Sequence, residues 1–168
     1  MKRPLPHNAP KGKTLLAPAL AGAAAFAALA ISAPAQAEDC TGTPSATKAY
    51  VNVKNVKSAS GLVAVTLYAD NSKKFLVKHG SLYVGRVPAK AGTTRVCIYV
   101  PKPGVYAVAV YHDQDGNRKF NRSGIGFPKE PFGFSNNAST LAGLPAFKSV
   151  RINVPRDGFE MSITLKEP

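Results

Sequence analysis

From Ala49 to Leu165 apolar and polar side chains alternate in short runs separated by turn residues. Ala49-Tyr-Val-Asn-Val-Lys-Asn-Val56 places every second side chain on one face, the period of a strand that is half in a core and half in water. Leu62 to Tyr68 follows the turn signal Ser60-Gly61, so these two segments are expected as a hairpin. Leu82–Val87 and Thr94–Val100 each stop at a proline, and Pro103-Gly104 turns the chain into Val105–Tyr111, the most apolar run of this region. Phe147–Val154 and Phe159–Leu165 complete the set, the second after Asp157-Gly158. Asn71–Lys78 has room for one helical turn, and no longer amphipathic helix is present. About seven short strands with frequent turns predict an all-β domain, a single antiparallel β-sandwich with Val63, Val65, Ile98, Val108, Val110 and Ile163 inside.

Upstream of this pattern the character changes. Lys2, Arg3, Lys11 and Lys13 precede an Ala-rich apolar stretch from Leu15 to Ala33, and no acidic residue occurs before Glu38. Ala35-Gln36-Ala37 supplies small residues where a signal peptidase reads them. Residues 1–37 are therefore expected to be a signal peptide cleaved after Ala37, leaving residues 38–168 as one domain that is periplasmic or secreted, with no transmembrane segment. Cys40 follows Ala37-Glu-Asp39, which is no lipobox.

Removing the leader changes the size and charge arithmetic. Of 168 residues 131 remain, enough for one core and too few for two domains. A content of 45% hydrophobic and 18% charged residues excludes wholesale disorder. The leader takes four of the 22 Lys and Arg, so 18 stand against nine acids, a formal +9. That surplus is compatible with an anionic partner such as a lipid or polymer of the cell envelope, but the basic residues form no dense block and a solvated surface is the simpler explanation. With no binding module for nucleic acid in an exported chain, none is expected as a partner. Cys40 and Cys97 are the two cysteines. In an oxidising compartment they are expected to bridge a loop of 57 residues, worth on the order of 4 kcal/mol.

The interval between Tyr111 and Phe147 holds 35 residues with little regular pattern, an unusual length for a compact domain. Phe120, Phe127, Phe132 and Phe134 suggest an ordered lobe packed on the sandwich. Asp113, Asp115 and Asn117 place oxygen-bearing side chains at alternate positions right after a strand, the chemistry a hard cation such as Ca²⁺ prefers. Position twelve of such a loop is Gly124 instead of Glu, which excludes an EF-hand, and Glu130 joins only if the loop folds back. The competing explanation is that Asp113 and Asp115 cap turns or pair with Arg118, Lys119 or Arg122.

The segments Pro103-Gly-Val-Tyr-Ala-Val-Ala-Val-Tyr-His-Asp113, Asp115-Gly-Asn-Arg-Lys-Phe-Asn121 and Gly126-Phe-Pro-Lys-Glu-Pro-Phe-Gly-Phe-Ser-Asn-Asn137 resemble domain of unknown function 2141, a family of exported bacterial proteins. The resemblance implies a sandwich akin to immunoglobulin-like and transthyretin-like modules, and no assigned catalytic residue. It marks His112, Glu130, Gly133, Phe134, Ser135 and Asn136 as motif positions. It also implies an Asp-x-Asn-x-Asn-Gly-Lys-x-Asp stretch, met here by Asp113, Asp115, Asn117 and Asn121, with Arg118 standing where that pattern has its turn glycine.

Two functions follow as expectations. One is a non-catalytic binding or accessory module of the envelope, with Ca²⁺ held by Asp113, Asp115, Asn117 and Asn121. The alternative is a small periplasmic hydrolase built on His112, Asp113 and Glu130, with Ser123 or Ser135 as nucleophile. Alternation along a strand opposes the second, because it sends His112 and Asp113 to opposite faces. A third use, an exposed sheet edge pairing with a partner strand, needs an uncovered edge.

Overall fold

The computed structural model describes residues 39–140 and 144–168. The expected signal peptide and its cleavage point lie outside the described residues. Eight strands form two sheets. They are β1 (Thr47–Val56), β2 (Leu62–Ala69), β3 (Tyr83–Pro88), β4 (Gly92–Val100), β5 (Gly104–Asp113), β6 (Phe132–Phe134), β7 (Arg151–Val154) and β8 (Phe159–Thr164). The smaller sheet has the order β4-β1-β8, and the larger runs β3-β2-β5-β6 with β7 also on β5. Pairings are antiparallel except that of β1 with β8, which is parallel in the register Ala49↔Phe159 to Lys54↔Thr164. The chain crosses from β7 in one sheet to β8 in the other, and so reaches β1 from the same end at which β1 begins.

Alternation accounts for the core. Val51, Val53, Val63, Val65, Ile98, Val108, Val110 and Ile163 are all buried between the sheets, including each of the six expected there. At about 1.5–3 kcal/mol for each fully buried aliphatic side chain, this layer is the main favourable contribution to the fold. The smaller sheet turns Lys48, Asn52, Lys54 and Arg95 outward, as an amphipathic sheet should. The larger sheet is covered on both faces, since Ala64, Tyr68 and Ala107 on its outer side are buried as well. Its cover is a second cluster containing Tyr68, Phe75, Ala107, Phe134, Ala138 and Val150.

Four local expectations are corrected. Ala49–Val56 and Leu62–Tyr68 do not form a hairpin: β1 pairs with β4 and β8 in the smaller sheet and β2 with β3 and β5 in the larger, so the turn at Ser60-Gly61 carries the chain from one sheet to the other. Phe147–Val154 is half helical: Phe147–Val150 forms one turn, α1, and only Arg151–Val154 is strand. A helical turn puts Phe147 and Val150, three residues apart, on the same side, where both join the second cluster, whereas a strand would separate them. Asn71–Lys78 makes successive hydrogen-bonded turns and no helix, with Leu76 at φ 57°. The long segment contributes a short strand of its own, β6, which brings the strand total to eight.

Cys40 and Cys97 form a disulfide. It tethers the N-terminal segment so that the Thr41 N–H donates to Cys97 O (3.0 Å) and the Tyr99 N–H donates to Thr41 O (2.9 Å). These bonds cap part of the outer edge of β4, which is otherwise a row of unpaired backbone groups. Among the described residues no helix is long and apolar enough to cross a membrane.

Candidate functional site

The segment from Gln114 to Pro131 is held to the end of β5 by its own acidic side chains. Asp113 is the last residue of β5 and its backbone carbonyl passes so close to Gly61 that a Cβ there would lie 1.9 Å from the oxygen. Asp113 Oδ2 accepts the Arg118 N–H at 2.8 Å, closing the first turn. Arg118 adopts φ 63°, a left-handed conformation that costs a residue with a Cβ about 1–2 kcal/mol. Asp115 Oδ1 accepts the Asn117 N–H, and Asn117 Oδ1 accepts the Lys119 N–H at 2.7 Å. These are two consecutive side-chain-to-backbone turns of the kind Asp and Asn favour.

Glu130 closes the lobe from its far end. Its Oε1 accepts the Gln114 N–H at 3.2 Å and its Oε2 accepts the Asn121 N–H at 2.9 Å. The loop therefore does fold back. One carboxylate oxygen from each of Asp113, Asp115 and Glu130 comes within 4.8 Å of the others. Asp113 and Glu130 are buried, at 0% and 3% exposure, while Asp115 faces solvent. Asn117 and Asn121 stand around Asp115 as donors: both amide Nδ2 groups bond to Asp115 Oδ2 at 2.8 Å.

Three carboxylates this close repel one another, and none has an ion-pair partner among the described residues. Burial pushes the Glu130 carboxyl above the usual carboxylate range. The N–H groups of Asn121 and Gln114 oppose that rise, and the neighbouring Asp113 and Asp115 charges add to it. Asp115 moves the other way, because the Asn121 amide and then the Asn117 N–H stabilise its charged form. Asp113 Oδ1 is enclosed and has no hydrogen-bond partner.

The remaining motif positions are spent on the scaffold. His112 faces the sandwich interior at 0% exposure, with Nε2 bonded to Ser60 O at 2.8 Å. A carbonyl partner requires Nε2 to donate, and the enclosed Nδ1 has no hydrogen-bond partner. Asp113 lies on the other side of β5, as alternation dictates. Ser135 is fully buried where β5 passes from pairing with β6, which ends at Ala109, to pairing with β7, which begins at Ala107. Val108 between them finds no strand partner on that edge. The Ser135 hydroxyl takes the role, accepting the Val108 N–H at 3.0 Å and lying against the carbonyls of Val108 and Val150. Asn136 donates to the carbonyls of Ser149 and Arg151, and Asn137 Oδ1 accepts the Thr164 N–H. Gly133 is required by contact, since a Cβ would meet Ile163 and the Thr164 carbonyl at 2.9 Å. Phe134 fills the second cluster. Ser123 closes the tip of the lobe, its Oγ accepting the Phe127 N–H.

Beside the carboxylates the lobe forms one wall of an apolar groove of about 690 Å³ over the outer face of the larger sheet. Tyr111, Phe120, Phe132 and Phe134 run through it as a chain of ring contacts, with centroids 5.3, 5.8 and 5.8 Å apart. Ile125, Phe127 and Leu144 line the opening at 82%, 67% and 64% exposure. Arg122 lies there too, its guanidinium over the Phe120 ring at 5.0 Å, and Glu167 lines another part. Sequence reasoning named the aromatics but not the groove, because Tyr111 and Phe132 meet only through strand pairing.

Fold and site together define a small two-sheet β domain carrying a carboxylate-closed lobe on one covered face. The chain belongs to the family described as an uncharacterized protein conserved in bacteria, domain of unknown function 2141, whose model matches residues 51–162. No curated protein and no solved structure matches it.

Proposed function

We propose that this chain is a non-catalytic exported module of the bacterial envelope that binds the acyl portion of an anionic amphiphile. The observation that carries the reading is the groove. It is lined by aromatic rings, has the volume of a small-molecule site, and gathers at its mouth three of the five most exposed large hydrophobics among the described residues. Arg122 offers a cation at that mouth, and the +9 surplus of residues 38–168 attracts anionic heads over a longer range. A binding role is favoured over hydrolysis by where the reactive groups are spent. His112 is enclosed against Ser60 O, Ser135 is committed to Val108, and Asp113 turns away from His112. Export rests on the basic, apolar and Ala-x-Ala order of residues 1–37.

Titration with the fluorescent fatty acid cis-parinaric acid tests the groove. Saturable binding is expected, weakened about tenfold or more when Ile125→Ser and Phe127→Ser are combined. Absence of saturation, or equal affinity in the double variant, refutes it. Export has its own check: protein recovered outside the cytoplasm should begin at Glu38, and an intact precursor retained in the cytosol contradicts it.

A further inference from the structure

We propose that Asp113, Asp115 and Glu130 form a site for a hard divalent cation, Ca²⁺ by preference, which pins both ends of the lobe to the end of β5. This goes beyond the groove and does not depend on it. Two independent observations support it. First, the three carboxylate oxygens lie within 4.8 Å of one another, the spread that a shared ion at about 2.4 Å from each oxygen allows. Second, Asp113 is completely buried yet leaves Oδ1 without any partner. A buried carboxylate oxygen with no donor keeps its full desolvation cost, and native folds rarely leave one unless something else satisfies it.

The chemistry of the donor set selects the ion. All three donors are carboxylate oxygens, which suit Ca²⁺ or Mg²⁺ and are too hard for a thiophilic metal. Asp113 and Asp115 come from one turn and Glu130 from the opposite end of the lobe, an irregular arrangement with an open, solvent-facing side at Asp115. Ca²⁺ accepts such irregular coordination and completes it with water, whereas Mg²⁺ demands a near-ideal octahedron. The ligand set also revises the expectation from the sequence. Glu130 supplies an oxygen because the loop folds back, the condition on which it could join, while Asn117 and Asn121 steady Asp115 from outside. Three side-chain donors with one of them open to solvent place the affinity with extracellular modules, at about 10⁻⁴–10⁻³ M.

Calorimetric titration of the chelator-treated full chain with CaCl₂ tests the site, with a thermal scan in parallel. Saturable heat is expected, with a Tm about 3–6 °C higher at roughly 10 mM Ca²⁺ and a smaller rise with Mg²⁺. Glu130→Gln and Asp113→Asn each keep the side-chain shape and a carbonyl acceptor, and each should abolish the Ca²⁺ response. Should either fail to fold, Asp115→Asn, at the exposed member, should fold and lower affinity about tenfold or more. No heat and no Tm shift in the parent chain overturns the proposal, as does a full response retained in Asp113→Asn, Asp115→Asn or Glu130→Gln. Parinaric acid binding without a Ca²⁺ response leaves the groove standing and removes only the cation site.

Discussion

The lobe from Asp113 to Glu130 and the clamp from Gly133 to Asn137 are neighbours in sequence and equally rich in polar side chains, yet they manage those polar atoms in opposite ways. In the clamp each side chain serves the backbone of another element: Ser135 fills the gap on β5, Asn136 holds α1 and β7, and Asn137 holds β8. In the lobe three acids converge without a counter-cation, and a buried oxygen of Asp113 is unpaired. A region whose polar atoms are fully paired is scaffold, and one that leaves a buried charge unsatisfied is held ready for a ligand.

Ser135→Ala should have the largest effect. It strands the Val108 N–H and leaves the enclosed carbonyls of Val108 and Val150 without the hydroxyl, costing about 2–4 kcal/mol in urea denaturation. A loss below about 0.5 kcal/mol would mean the clamp is decorative and the comparison is wrong. Asp113→Asn should do the reverse in chelator. It keeps an acceptor for the Arg118 N–H and removes one of three crowded charges, so stability should hold or rise by about 1 kcal/mol. A loss as large as that of Ser135→Ala would make the lobe scaffold too.

Arg118→Gly is the smaller test. Relief of the left-handed conformation should stabilise the chain by about 0.5–1 kcal/mol while the backbone N–H still serves Asp113. The weakest effect is at alkaline pH. Burial pushes the Tyr68 hydroxyl, in the clamp's cluster, above its ordinary value near 10. Its neutral form is favoured in the fold, so the stability is complete below the unfolded value and falls as pH climbs through the folded one. Tyr68→Phe should flatten that alkaline decline, and an unchanged slope would place its cause elsewhere.

Much of the fold was legible because burial writes a period of two into the chain. All six expected core residues and the Cys40–Cys97 bridge follow from alternation and cysteine number. Phe147–Val150 was misread because the cover over the larger sheet, not the sheet itself, decides which side Phe147 must face. Within the lobe, Asp113 and Asp115 were visible from local spacing. Glu130 was visible only as a contingency, since nothing in a run of residues states that a loop will return 15 positions later. Ser135 and Asn136 could be picked out as motif positions, but their role depends on where β5 changes partners, which only pairing reveals.

The most direct measurement follows backbone amides by ¹H–¹⁵N NMR during a Ca²⁺ titration. The account predicts saturable shifts at Gln114, Arg118 and Asn121, whose N–H groups donate to the three-carboxylate cluster, with Val108 and Thr164 at the clamp unmoved. Unmoved lobe amides at about 10 mM Ca²⁺, or equal shifts at Val108 and Thr164, would contradict it.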